Sequence, residues 1–263
     1  MSAHAVQVVR SCGALLDLPV AVTTTALVLT HRCLRAQHNQ QSSSASSAST
    51  ASSAEPSPTF TALSCLWLAI KTLEVTPPRK LRDVINVAHR LGLFREHDDR
   101  DPVDPSLAPP PPPALTVNDE YWALHDRMVR SELLVLRWLR FDVHVELPFV
   151  YVARWTSLAL DCETSATPLF RRVAQLAWML VNDMYGHPDT CLDTSPQELA
   201  AAAVLYSAEV HCGPPRRDQR ESDNRVAWVA AALFDEGKLR AIVERQLARY
   251  PPVISPPSTA IEL

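Results

Sequence analysis

Apolar residues recur along this chain in steps of three and four, the spacing of one face of an α-helix. From Thr59 to Glu74 the apolar face is Ala62, Cys65, Leu66, Ala69 and Leu73. From Asp119 to Arg140 it is Leu124, Met128, Val129, Leu133, Leu136 and Leu139. The same reading predicts helices over Ala3–Leu16, Pro19–Cys33, Arg79–Leu91, Pro148–Leu160, Thr167–Tyr185, Ala200–Val210, Asn224–Asp235 and Lys238–Tyr250. Local signals punctuate them. Pro77 and Pro78 end the third helix, and Gly186 suits a C-terminal cap. Ser195 followed by Glu198 forms a capping box ahead of an Ala-rich helix, and Thr167-Pro168 opens the helix before it.

Five helices, a junction near Asp142 and five more helices predict an all-α architecture. The expected organisation is a first domain over 3–141, a second over 142–250 and a flexible tail over 251–263. Two stretches interrupt the pattern. Gln40–Pro58 is Ser/Ala-rich and buries too little to order itself, and residues 98–116 are acidic and then Pro-rich, with five consecutive prolines at Pro109–Pro113. Both are expected to be disordered insertions within the first domain, which surface loops tolerate at little cost.

Composition narrows the function. Only 5 of the 263 residues are glycine, too few for a hairpin-rich fold or a Gly-rich phosphate loop. The formal net charge is -4, so the basic footprint of a nucleic-acid binder is missing. The six cysteines (Cys12, Cys33, Cys65, Cys162, Cys191, Cys212) are far apart and read as buried free thiols. His31, His38, His89, His125, His144, His187 and His211 are scattered, with no metal-ligand spacing, and no GxSxG elbow occurs. No catalytic residue, metal or cofactor is expected, and no small-molecule substrate. Met1–Arg10 lacks the pattern of a signal peptide, and the apolar run Pro19–Leu29, broken by Thr23, Thr24 and Thr25, is too short to cross a bilayer. The expectation is a protein of the nucleus or cytoplasm, neither secreted nor bound to a membrane.

Trp67, Lys71 and Glu74 fall at i, i+4 and i+7, off the apolar face of their helix. Taken alone, such a line is either an interface or a solvated face with an incidental Lys–Glu pair.

Several segments, in order, resemble the cyclin family. Arg130–Asp142 (RSELLVLRWLRFD) is similar to the E-x-x-(V/I)-L-(K/R)-x-L-x-F-(D/Q) segment of the cyclin box, and Cys65–Glu74 (CLWLAIKTLE) to its LA(S/G)K-x-EE segment. Leu18-Pro19, Thr25-Ala26 and Thr30-His31-Arg32 resemble LP…TA…HRF, and Pro196–Tyr206 is similar to the third helix of a second cyclin box. Lys80–Val87 and Tyr121–Asp126 lean towards cyclin Q and the transcription-type cyclins.

The resemblance implies two tandem five-helix boxes and a regulatory subunit that binds and activates a cyclin-dependent serine/threonine kinase, in transcription or the cell cycle. By resemblance the partner is the kinase of cyclin Q or a transcriptional cyclin-dependent kinase. The family's third-helix lysine and fifth-helix glutamate match Lys71 and Glu132, and Trp67, Ile70, Leu73 and Glu74 join them as the implied kinase-binding set. Ile70 stands where the family carries a small residue and Leu73 where it carries a glutamate, which predicts a more apolar contact face. Cys33 replaces the aromatic of HRF, a loss of volume the core must absorb. Two other classes remain: a cyclin-fold scaffold that binds proteins without activating a kinase, and a nucleic-acid-binding fold like transcription factor IIB. Among the Ser-Pro and Thr-Pro steps, Thr167 and Ser195 read as helix caps, and Ser57 and Ser255 as phosphorylation candidates in flexible segments.

Overall fold

A computed structural model describes residues 2–44, 57–94, 115–161, 167–213, 228–229, 232 and 234–250. Most of the two insertions, most of the expected helix 224–235, the tail 251–263, Ser255 and Cys162 lie outside the described residues. The described residues are all-helical, with ten helices: α1 (Ser2–Leu15), α2 (Val20–Ser44), α3 (Pro58–Thr72), α4 (Leu81–Arg90), α5 (Asp119–Trp138), α6 (Phe149–Leu160), α7 (Pro168–Met184), α8 (Pro188–Asp193), α9 (Pro196–Cys212) and α10 (Glu236–Leu247). The all-α class expected from the sequence is present among the described residues.

The chain divides into two compact units, Met1–Leu147 with Tyr185–Asp193, and Pro148–Met184 with Thr194–Leu263. The first unit is built around α3, which packs on α1, α2, α4 and α5. The reason lies in its sequence. Every residue from Phe60 to Leu66 is buried, as are Leu68, Ala69 and Ile70, so α3 is apolar almost all round and must be enclosed. The second unit repeats the device with α9, which packs on α6, α7 and α10 and buries Leu199 to Leu205 without interruption, then Ser207 and Ala208. Its four consecutive alanines, Ala200–Ala203, carry no side chain beyond Cβ and let the neighbouring helices come close. Both hub helices begin with a Ser-Pro cap. Ser195 Oγ accepts from Glu198 N (3.2 Å) while Glu198 Oε2 accepts from Ser195 N (3.3 Å), closing the predicted capping box. Thr167 likewise caps α7, accepting from Phe170 N at 3.2 Å.

Several expectations need correction. Gln40–Ser44 are helical, because α2 runs well past Cys33 on its Ala and Gln residues, which propagate a helix readily. Pro19 precedes α2 instead of entering it; its carbonyl accepts from Val22 N at 2.9 Å. Ser57 is not in a flexible segment: it caps α3, accepting from Phe60 N at 3.5 Å. On α5, Val129 and Leu133 point to solvent at 39% and 53% exposure, and the buried face runs instead through Tyr121, Leu124, Met128, Ser131, Val135 and Leu139. The period of 3.6 admits both faces when apolar residues are this dense, and α3 chooses between them.

Cys33 sits with Leu29, Cys65, Leu68, Val135 and Leu139 in one cluster, and Leu136, Trp138, Val143 and Val145 pack against it. The Cys33 and Cys65 sulfurs are 3.9 Å apart, and both are free thiols, as are Cys12 and Cys191. Burial pushes the Cys12 thiol up to about 12. Among the described residues no helix is long and apolar enough to cross a membrane.

Candidate functional site

The site forms where α3 stops. Lys71 lies in the last turn of α3, where a cation is favoured by the exposed carbonyls of the helix end. Thr72 tightens that turn, its hydroxyl donating to Leu68 O (3.0 Å) and Ala69 O (3.2 Å). Leu73 N–H returns to Ala69 O at 3.1 Å, and Glu74 takes a left-handed conformation (φ 45°) that reverses the chain. A non-glycine residue in that region carries backbone strain of order 1–3 kcal/mol, sustained here by the burial of Val75 immediately after it. Pro77 and Pro78 then stiffen the return path to Arg79.

Glu132 comes from the middle of α5, which starts at the Asn118 cap (Oδ1 accepting from Tyr121 N, 2.9 Å) and carries Asp119 and Glu120 in its first turn. The packing of α5 on α3 brings the Glu132 carboxylate onto the Lys71 ammonium as an ion pair, across 61 sequence positions. The Glu132 side chain is 16% exposed and that of Lys71 41%, so the pair sits at the surface with its carboxylate side sunk in protein. Lys71 Nζ also lies 5.5 Å from the centroid of the half-buried Trp67 ring, a cation–π contact. Further along the same helix pair, the Arg127 guanidinium stacks 4.2 Å from the Phe60 ring and clasps α5 to α3 a second time.

Trp67, Ile70, Lys71, Glu74, Val75, Thr76, Pro78 and Arg79 line an open cleft of about 440 Å³. Trp67, Lys71, Glu74 and Glu132 of the predicted set are thus brought to one place. Leu73 is beside it and 43% exposed. Ile70 departs from expectation: it is 4% exposed, directed into the core by the all-round burial of α3, and adds little more than an edge to the cleft. The sequence reading missed Val75, Thr76, Pro78 and Arg79. Its signal was there in the Pro77-Pro78 pair, read only as a helix stop, because two prolines directly after a helix fix the direction of the returning chain as well as ending the helix.

The arrangement presents one cation held in place by a carboxylate and an aromatic face, above an irregular cleft with apolar and charged walls. Such a surface suits main-chain carbonyls and side chains of another protein. Among the described residues no group of three or more His, Cys, Asp or Glu is placed to hold a metal ion.

No model of a known protein family matches the chain. Among curated proteins it is similar to cyclin-L2 of Mus musculus, 28% identical over 202 residues, which is 77% of this chain and 32% of that protein. Cyclin-L1 of Xenopus laevis is 28% identical over 249 residues, 93% of this chain and 41% of that protein. Cyclin-L1 of Homo sapiens is 27% identical over 202 residues. The chain therefore spans about a third of the length of most of these relatives. The names these relatives carry are cyclin-L1 and cyclin-L2.

Proposed function

This chain belongs to the cyclin family, in its transcription-type group, and from that premise we propose that it is a regulatory subunit that binds and activates a cyclin-dependent serine/threonine kinase. The observation that carries the proposal is the meeting of Lys71 and Glu132, from two helices far apart in sequence, at an accessible surface beside a cleft.

In this reading Lys71 donates to main-chain carbonyls flanking the kinase's C-helix, and Glu132 both orients the ammonium and accepts from the kinase's N–H groups. A kinase holds ATP productively only when its C-helix glutamate pairs with the strand-three lysine. A subunit that binds the inward position of that helix more tightly than the outward one shifts the kinase to its active form by that difference in affinity. The chain itself carries out no chemistry, and its place of action is the nucleus.

The test is a pull-down with a panel of transcriptional cyclin-dependent kinases, followed by an assay on a polymerase-tail peptide. Activity that disappears with Lys71→Glu supports the proposal; activity that is unchanged overturns it. One observation favours a second reading, a protein-binding scaffold that does not activate: Leu73 presents an exposed apolar side chain beside the cleft. Binding without a rise in kinase activity selects that reading.

A further inference from the structure

Arg79 stands apart from Lys71, the other cation lining the cleft. Lys71 is paired with Glu132, whereas no carboxylate lies within ion-pair distance of Arg79 among the described residues. Arg79 is half-buried in the wall of the cleft, and its Nε is shielded from solvent with no hydrogen-bond partner. The fold has thus already removed part of the guanidinium's hydration, with no counter-charge in ion-pair contact among the described residues. An incoming anion gains more from such a group than from a fully solvated arginine, because that share of the desolvation has been met in folding.

We infer that the cleft receives a carboxylate side chain, Asp or Glu, from the partner kinase, and that Arg79 is the residue that recognises it; this rests on the kinase-binding reading above. The other walls define what accompanies the carboxylate. Trp67, Val75, Pro78 and the edge of Ile70 form an apolar lining, which fits an acidic residue flanked by apolar neighbours. Glu74 in the same cleft repels a dianion, so a singly charged carboxylate is favoured over a phosphate group. Arg79 is planar and forked, which matches the two oxygens of a carboxylate.

The experiment uses the full chain and whichever cyclin-dependent kinase of the panel binds it, with affinities measured by titration calorimetry. Arg79→Gln is expected to weaken binding about tenfold or more, Arg79→Glu considerably further, and Arg79→Lys by an intermediate amount. Each variant is checked for unchanged helical circular dichroism and melting temperature. Arg79→Gln binding within about twofold of the native chain overturns the inference, as does equal weakening by Gln and Glu, since a carboxylate partner must feel the reversed charge. If no kinase of the panel binds the native chain, the failure lies with the proposed function; if the native chain binds and the Arg79 variants bind equally well, it lies with this inference alone.

Discussion

His31, deep in α2, donates from Nε2 to the backbone carbonyl of Tyr185 at 3.1 Å, joining two parts of the first unit separated by 154 positions. The ring is 1% exposed, and its Nδ1 has no partner. Burial is the main force holding His31 below the ordinary histidine value; the Tyr185 carbonyl opposes it, His187 and Arg35 add to the lowering, and Asp189 opposes it. The sign follows. Above about pH 6.5 His31 is neutral in both the folded and unfolded chain, and its titration contributes nothing to the pH dependence. Below that value the unfolded chain takes up a proton that the folded chain refuses, so stability falls as the pH drops towards the folded-state value, at no more than about 1.4 kcal/mol per pH unit from this group. Urea midpoints measured from pH 7.5 to 5 should show this loss. His31→Gln keeps a donor for Tyr185 but does not titrate, so its midpoint should lie lower at neutral pH and change less on acidification. Parallel curves for the two proteins contradict the account.

The Lys71–Glu132 pair should matter far more to binding than to folding. With the lysine side chain 41% exposed, the pair contributes at most about 1 kcal/mol to stability. Lys71→Ala is therefore expected to leave the thermal midpoint nearly unchanged while weakening the kinase complex at least tenfold. Differential scanning calorimetry alongside calorimetric titration separates the two effects. A midpoint that falls by many degrees, with binding intact, reassigns the pair to structure.

The helices are legible in the sequence from their apolar spacing, and the limits of that reading are physical. The meeting of Lys71 and Glu132 is legible only through resemblance to a motif, whereas helix periodicity alone puts Trp67 and Lys71 on one line. The burial of Ile70 was not legible: off the apolar stripe of an amphipathic helix it reads as exposed, but α3 is enclosed on nearly every side. Leu133 and Val129 depart in the opposite direction, because the apolar residues of α5 fall on two stripes and only the partner helix decides which is covered. Arg79 was invisible for a different reason. Its place in the cleft depends on the left-handed turn at Glu74, a conformation that no rule about glutamate predicts.

The two hub helices give a matched pair of caps with different geometry. Ser195 and Glu198 satisfy each other's backbone N–H groups, whereas Ser57 reaches only Phe60 N, at 3.5 Å. Ser195→Ala should cost about 1 kcal/mol, within the usual range for a lost cap, and Ser57→Ala less than half as much. Chemical denaturation of both variants tests the order, and an equal or reversed cost counts against it.

At Gly13, α1 lies close against Thr23 of α2. A Cβ built there overlaps Cγ2 of Thr23, so alanine does not fit as the structure stands. Thr23 cannot simply turn aside, because its hydroxyl donates to Val20 O at 2.9 Å and a new rotamer breaks that bond. Two opposing effects then compete in Gly13→Ala. Helix propensity favours alanine by about 1 kcal/mol, and overpacking costs about 1–3 kcal/mol. The clash is expected to win, giving a net loss of up to about 2 kcal/mol. Thr23→Ser removes the offending methyl and keeps the hydroxyl, so in that background the same Gly13→Ala change should become neutral or stabilising. Thermal midpoints of the two single variants and the double variant complete the cycle. If Gly13→Ala destabilises equally with Thr23 and with Ser at position 23, contact between these two residues is not what requires the glycine.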